Sequence, residues 1–427
     1  MSHVGMICPE MTGHLNPMTT LGRELQRRGH RVTVVARPDA RRKAEAAGLG
    51  FAPVGERDFP EGSMAATTAT LGMLSGIRAV RFTAETLRQA AEATLRDGLE
   101  VVAREKIEAL IVDQVSPAGG TVADVRGIPY ITVCNALAMN PDPDVPPGVL
   151  PWPYRPGLLG RMRNFLGNEL LDWLASPVIG EINRARVSHG LPPLRRGLGD
   201  GSRLAQIAQQ PAFFDFPRRA LPEHFHYTAP WHDARSGEAI AFPWEKLDGR
   251  PLIYASMGTL QNRQQVIFET IAAACAGLDA QLVIALGNRD QDAAAHAAGF
   301  AGTPIVVPIA PQLELLKRAA LSITHAGLNT ALESLSHGLP MIAIPITNDQ
   351  PGVAARLAWL GAAEVVPPQR LTVPRLRAAI ERVLRESGFR EAAQRCREKI
   401  RESDGVANAA DIVEQVLATK ARVCRAR

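Results

Sequence analysis

Along the first half of the chain, short runs that are apolar at every position alternate with longer stretches in which apolar residues recur every three or four. "HVGMICP", "RVTVVAR", "ALIVD" and "YITVCN" read as strands buried on both faces, the pattern of parallel sheets. Helical periodicity lies between them, most clearly over residues 17–28 and 77–105. The second half repeats the scheme with "LIYASM", "QLVIALG", "TPIVVP", "LSITH", "MIAIP" and "AEVVP". Strands separated by helices in this way predict an α/β protein of two doubly wound sheets. "HDARSGEAIAFPWEKLDGRP", residues 232–251, has the composition of a linker between them.

One stretch departs from the alternation. "NPDPDVPPGVLPWPYRPG" is too rich in proline for helix or central strand. After it, residues 157–175 place Leu159, Met162, Leu166, Leu170, Trp173 and Leu174 on one helical face. The pattern reads first as an ordinary core-facing helix. A wall of an apolar substrate pocket, or a patch touching a membrane, is the alternative.

With 46% hydrophobic and 21% charged residues, the 427-residue chain has the composition of a packed soluble fold. Its net charge of +5 is spread over segments such as "RELQRRGHR" and "RQAAEATLRDG", where acids are interspersed. No basic and aromatic stripe appears, which argues against nucleic acid as a partner. The five cysteines are far apart and form no CxxC pair, as expected in a reducing compartment with neither disulfides nor a zinc site. The chain enters a strand at once, so no signal peptide is expected. No apolar run reaches the ~18 residues of a membrane span. The expected location is the cytoplasm, with the inner membrane face as a site of peripheral contact.

Two regions carry candidate chemistry. "MTGHLNP", residues 11–17, follows the first strand and reads as a loop, with Pro17 starting the next helix and His14 presented at the strand's carboxyl end. Asp113 ends the strand "ALIVD" and should reach the same sheet edge. A carboxylate behind an imidazole supports it when it takes up a proton.

The second region is "SITHAGLNTALESLSHGLPMIAIPITNDQP", residues 322–351. Here a strand ends at His325, and Gly327 turns into a helix whose first turn carries Asn329 and Thr330. Helix N-termini offer free N–H groups and a partial positive charge, a setting for phosphate. Glu333 lies one turn on, where a carboxylate could accept from ribose hydroxyls. A cap followed by glutamate is also a plain helix-start signal. "SMGT" (Ser256, Gly258, Thr259), "APQ" (ending in Gln312) and "NDQP" (Asp349, Gln350) each follow a strand, so all should converge at one edge. Neither half shows GxGxxG after its first strand, and no P-loop lysine is present.

From "GHLNP" through "SMGT" to "HAGLNTALES" and "DQ", the chain resembles the UDP-dependent glycosyltransferases of the GT-B fold. Within them it is similar to the bacterial branch that contains zeaxanthin and macrolide glucosyltransferases. The resemblance runs essentially end to end. It implies two Rossmann-like domains facing across a cleft: residues 1–231 for the acceptor, 252–400 for the nucleotide sugar. A terminal helix in 401–427 would pack back on the first domain.

The resemblance also implies roles. His14 would be the general base and Asp113 its support. Ser256, Gly258, Thr259, His325, Gly327, Asn329 and Thr330 would hold the diphosphate, Gln312 the uracil edge, Glu333 the ribose, and Asp349 with Gln350 the sugar hydroxyls. One departure is visible: relatives often carry a tryptophan just before the proline–glutamine pair, where this chain reads Ile309 and Ala310. The implied reaction is inverting transfer of a hexose, glucose first, from a UDP-sugar to a hydroxylated apolar small molecule, with no cofactor and no metal. GlcNAc transfer to a lipid or cell-wall precursor, and a non-catalytic partner protein, are the rival readings.

Overall fold

The computed structural model describes residues 1–73, 76–194, 201–231, 240–258, 265–289 and 291–425. The chain forms two compact units. The first comprises Met1–Pro147, Tyr154–Asp233 and Asp404–Arg427, the second Gly148–Pro153 and Ala234–Ser403. Part of the stretch read as a linker, residues 232–239, lies outside the described residues.

The first unit is built on seven parallel strands: β1 (His3–Ile7), β2 (Arg31–Ala36), β3 (Gly50–Pro53), β4 (Ala109–Asp113), β5 (Tyr130–Cys134), β6 (Gln206–Ala208) and β7 (Phe225–Tyr227). Their order is β3-β2-β1-β4-β5-β6-β7. Every residue of β1 and β4 is buried, as expected of strands covered by helices on both faces. On one face Met6, Val34 and Ile131 pack against Leu21 and Leu25 of the helix Thr12–Arg27. The last helix, Gly405–Thr419, joins this core through Ala409, Val413 and Val416. Arg28 ties it down, with Nη1 2.5 Å from Asp411 and 2.7 Å from Glu414.

The second unit holds β8 (Leu252–Ser256), β9 (Gln281–Ala285), β10 (Ile305–Val307), β11 (Ala319–Thr324), β12 (Met341–Ala343) and β13 (Ala363–Val365). They are ordered β10-β9-β8-β11-β12-β13, and their pairings are all parallel. Its core gathers Ile253, Ile284, Ile323 and Ile342 under Phe268, Ile271 and Ile380.

The structure corrects two sequence expectations. "TGHLNP" is helix, not loop: the helix starts at Thr12, and Pro17 is its sixth residue. Proline lacks only the N–H that would bond four residues back, to the Gly13 carbonyl. Gly13 is exposed and lies in the helix's first turn, so the missing bond falls near the helix start.

The second correction concerns the helix after the proline-rich stretch, which spans Leu158–Ser188. Its apolar face does not enter the core: Leu159 is 82%, Leu166 64% and Trp173 70% exposed. The buried side is instead Gly160, Asn164, Gly167, Val178, Ile182 and Arg186. Asn164 pins the helix through Nδ2 to the Pro143 carbonyl at 3.0 Å. Among the described residues no helix is long and apolar enough to cross a membrane.

Candidate active site

Parallel strands deliver whatever follows their last residue to one edge of the sheet. In the first unit, Ile7 on β1 is in register with Val112 on β4, and Asp113 with Val133 on β5. His14, on the first turn of its helix, reaches back over that edge. Its Nδ1 lies 2.7 Å from Asp113 Oδ2. Asp113 is wholly buried while the His14 side chain keeps 15% exposure, so the ring is anchored on one side and open on the other. With the Nδ1 hydrogen given to the carboxylate, Nε2 carries the basic lone pair.

Asp113 is itself fixed. Its Oδ1 accepts from the Val115 N–H at 2.9 Å, and Oδ2 accepts a second hydrogen bond, from Asn135 Nδ2, at 2.6 Å. Sequence reasoning missed Asn135. Its only signal is its place directly after β5, next to the strand that ends in Asp113. Cys8 and Cys134 lie close by, and both thiols are pushed up, first by burial and then by the Asp113 charge, so they stay neutral.

In the second unit β8 pairs with β11, and Ser256 stands opposite Thr324, which brings Ser256 and His325 to one point. The imidazole of His325 sits between two glycines. A Cβ at Gly258, where φ is +72°, would come 2.6 Å from its Cε1, and one at Gly327 would come 2.5 Å from its Nε2. Only glycine at both positions leaves room for the ring. Burial pushes His325 down to about 4, against a smaller opposing effect of the Ser256 backbone, so the ring is neutral near pH 7. Its Nδ1 is buried with no hydrogen-bond partner among the described residues. Between them Ala326 holds a left-handed φ of 62°. That conformation costs an L-residue roughly 1–2 kcal/mol, and it turns the chain abruptly from strand to helix.

The helix Leu328–Ser336 opens at Gly327 with no side-chain cap and no acidic residue in its first turn. Its N-terminal partial charge is therefore not offset by a capping side chain or by an acidic residue of its own first turn. Asn329 and Thr330 stand in that turn. One turn on, Glu333 Oε2 accepts from Gln312 Nε2 at 2.5 Å, and the same nitrogen is 3.3 Å from Thr330 Oγ1. Tyr254 completes the group, its hydroxyl donating to Gln312 Oε1 at 3.0 Å. Tyr254 was not visible from the sequence, where it is one more apolar residue inside a strand.

Burial pushes the Glu333 carboxyl from 4.5 up to about 7, while the bond from Gln312 pulls it down. A raised carboxyl pKa means that folding favours the protonated form. The penalty for charging it is absent below pH 4.5 and complete above about pH 7. Glu333→Gln is therefore expected to raise the melting temperature at pH 8 and leave it nearly unchanged at pH 4. Thermal denaturation at the two pH values checks this; equal shifts at both would contradict it.

Asp349 precedes the helix Gln350–Trp359, and Asn348 before it is left-handed at φ 55°. Gln350 is buried, and its Oε1 accepts the N–H groups of Ile346 and Thr347 at 2.8 and 3.0 Å. That carbonyl oxygen shapes the loop. Ala310 is buried with Tyr254 and Leu315. Thr259 lies outside the described residues. Among the described residues no three His, Cys, Asp or Glu side chains gather as a metal site.

The chain is also similar to known proteins. Residues 204–400 match the family model described as "UDP-glucoronosyl and UDP-glucosyl transferase". A zeaxanthin glucosyltransferase of Pantoea ananas is 32% identical over 426 residues, covering 98% of this chain and 97% of that protein. The 4'-demethylrebeccamycin synthase of Lentzea aerocolonigenes is 26% identical, covering 94% and 96%. Among solved structures, the glycotransferase of kitacinnamycin superposes with a TM-score of 0.75 at 22% identity, covering 97% of this chain and 98% of that one. At that identity the likeness is one of fold, the GT-B fold of glycosyltransferases.

Proposed function

This chain belongs to the UDP-glucoronosyl and UDP-glucosyl transferase family, and we propose that it moves glucose from UDP-glucose to a hydroxyl of an apolar small molecule with inversion at the sugar. The observation that carries the reading is the 2.7 Å contact between His14 Nδ1 and the buried Asp113. A free alcohol ionises only far above neutrality, so its attack needs a base, and general-base help is worth on the order of 10²–10⁴ in rate. His14 Nε2 takes the hydroxyl proton as the oxygen bonds to the anomeric carbon. The bond from that carbon to the UDP oxygen breaks on the opposite face, and the electron pair leaves with the diphosphate. Asp113 stabilises the imidazolium that results. The charge on the departing diphosphate meets the His325 ring and the N–H groups that open Leu328–Ser336, donors already in place.

Ser256, Gly258, Asn329 and Thr330 border the diphosphate in this reading, with Thr259 assigned by motif alone. Gln312 and Glu333 take the uridine, and Asp349 and Gln350 the sugar. Hydrogen bonds from a helix end, a neutral histidine and hydroxyls would hold the diphosphate without a metal. The relative with the name zeaxanthin glucosyltransferase supports a hydroxylated apolar acceptor. So does the open face of Leu159, Leu166 and Trp173, which also suits peripheral contact with the cytoplasmic face of a membrane, where such acceptors dissolve.

The test is a mass-spectrometric screen of carotenoid, terpenoid, flavonoid and macrolide alcohols with UDP-glucose, with and without EDTA. A thermal-shift panel of nucleotide sugars accompanies it. UDP-glucose at 100 times its Kd should stabilise the protein by about 2.7 kcal/mol. Preference for GDP- or ADP-sugars would overturn the donor. Glycosylation of free sugars or charged peptides alone would overturn the acceptor class, and activity restored by Mg²⁺ after EDTA would overturn the metal-free reaction.

A further inference from the structure

We propose that Asn135 is a positioning residue for the proton transfer, setting the basicity of the Asp113–His14 pair; the inference rests on His14 acting as the base. Asn135 is 3% exposed. Its Nδ2 donates to Asp113 Oδ2 at 2.6 Å, the same oxygen that receives the His14 Nδ1 hydrogen at 2.7 Å. Its backbone is held from the other side, where Gln209 Nε2 donates to the Asn135 carbonyl at 2.9 Å.

The amide cannot be turned round. A carboxylate that pairs with an imidazole N–H only accepts, so the donor end of Asn135 must face it. That choice leaves Asn135 Oδ1 buried with no hydrogen-bond partner among the described residues. An unpaired buried acceptor is destabilising, and folded chains mostly avoid one. The arrangement gives up the Oδ1 end to fix the Nδ2 end on Asp113, a conflict expected at a functional group more than in a plain core.

The second hydrogen bond on Oδ2 spreads the carboxylate charge and weakens its grip on a proton at His14. The ring is thus returned more readily to its neutral, basic form, and Oδ2 is held facing Nδ1. Without the Asn135 donor, Asp113 holds the imidazolium more tightly and the His14 pKa rises. The other titratable groups that face the pair come from the neighbouring elements. Cys8 from the end of β1 and Cys134 from β5 are pushed far up by burial. Beyond Cys8 lie Glu10, paired with Arg37, and Lys43, which burial pushes down to about 8 and which loses its charge only on the alkaline side. Beyond Cys134 lie Asp215 and Arg218, a buried ion pair at 2.7 Å.

Asn135→Leu keeps the size and removes the donor. With an alcohol acceptor, kcat should fall about tenfold even above the acid limb, because Oδ2 is no longer held facing Nδ1 and the lost aim of the ring outweighs its higher basicity. The acid limb of kcat/KM should move to higher pH, while KM for UDP-glucose stays put. Transfer to a nitrophenol, already ionised, should keep its rate. Asn135→Asp, the isostere that decides the matter should the leucine variant not fold, should move the acid limb further, because two adjacent carboxylates favour keeping a proton. Equal losses with alcohol and phenolate and an unmoved limb would reduce Asn135 to a structural role. His14→Ala is measured in parallel: if its loss is the same for both acceptors, the base reading itself fails. If its loss is selective for alcohols and the Asn135 variants leave the limb in place, only this inference falls.

Discussion

His14→Ala is expected to slow transfer to an alcohol by roughly 10²–10⁴-fold while UDP-sugar affinity stays nearly intact, because in the proposed reaction the ring takes a proton and does not bind the donor. Asp113→Asn should also slow it. The amide cannot stabilise an imidazolium as a carboxylate does, and it no longer enforces the tautomer with its hydrogen on Nδ1. The 2.7 Å contact joins the two residues, and in the proposed reaction Asp113 acts through His14. The double variant should therefore be scarcely slower than His14→Ala alone. With a nitrophenol acceptor, already largely ionised, His14→Ala should recover much of its rate. Initial rates for the four proteins with both acceptors decide the matter. Losses that multiply in the double variant, or an equal His14 defect with alcohol and phenolate, would remove the pair from the chemistry.

Much of this pair was legible before any coordinates. "HVGMIC" and "ALIVD" are apolar at nearly every position, which marks parallel strands, and parallel strands end at a common edge. What the pattern could not supply was the local geometry. Pro17 reads as a helix start, yet the helix begins at Thr12, so His14 hangs from a rigid turn instead of a loop. β6 and β7 are three residues each and β3 four, too short for a periodic signal. Their pairing is set by the neighbouring strands. For the helix Leu158–Ser188, periodicity revealed an apolar face but not what covers it, and the small residues Gly160 and Gly167 mark the side that packs. In the second unit "HAGLNTALES" pointed to His325 and Glu333. Tyr254 and Asn135 carry no motif, and only the fold brings them to Gln312 and Asp113.

Gly327→Ala is expected to weaken UDP-sugar binding by roughly 10- to 100-fold although the new methyl group touches no ligand. Backbone strain is not the reason: at φ −63° and ψ 140° the position suits any residue. The obstacle is the His325 ring, whose Nε2 would lie 2.5 Å from the added Cβ. Gly258 blocks retreat in the other direction, since the ring already fills the space where its Cβ would be. The imidazole must swing out of its slot, and the hydrogen bond proposed for it to the diphosphate would go with it. A hydrogen bond to a charged group is worth about 1.5–3 kcal/mol, and each 1.4 kcal/mol is tenfold in Kd. His325→Ala should weaken binding by a similar factor. Because it also removes the object of the clash, adding Gly327→Ala to it should change little, a coupling that two independent defects would not show. The ring is neutral above about pH 5, since burial holds it near 4, so the loss should be the same at pH 6 and pH 8. Titration calorimetry with UDP on the two single variants and the double tests it. Additive losses, or wild-type affinity in Gly327→Ala, would mean that the imidazole does not bind the diphosphate from between these two glycines.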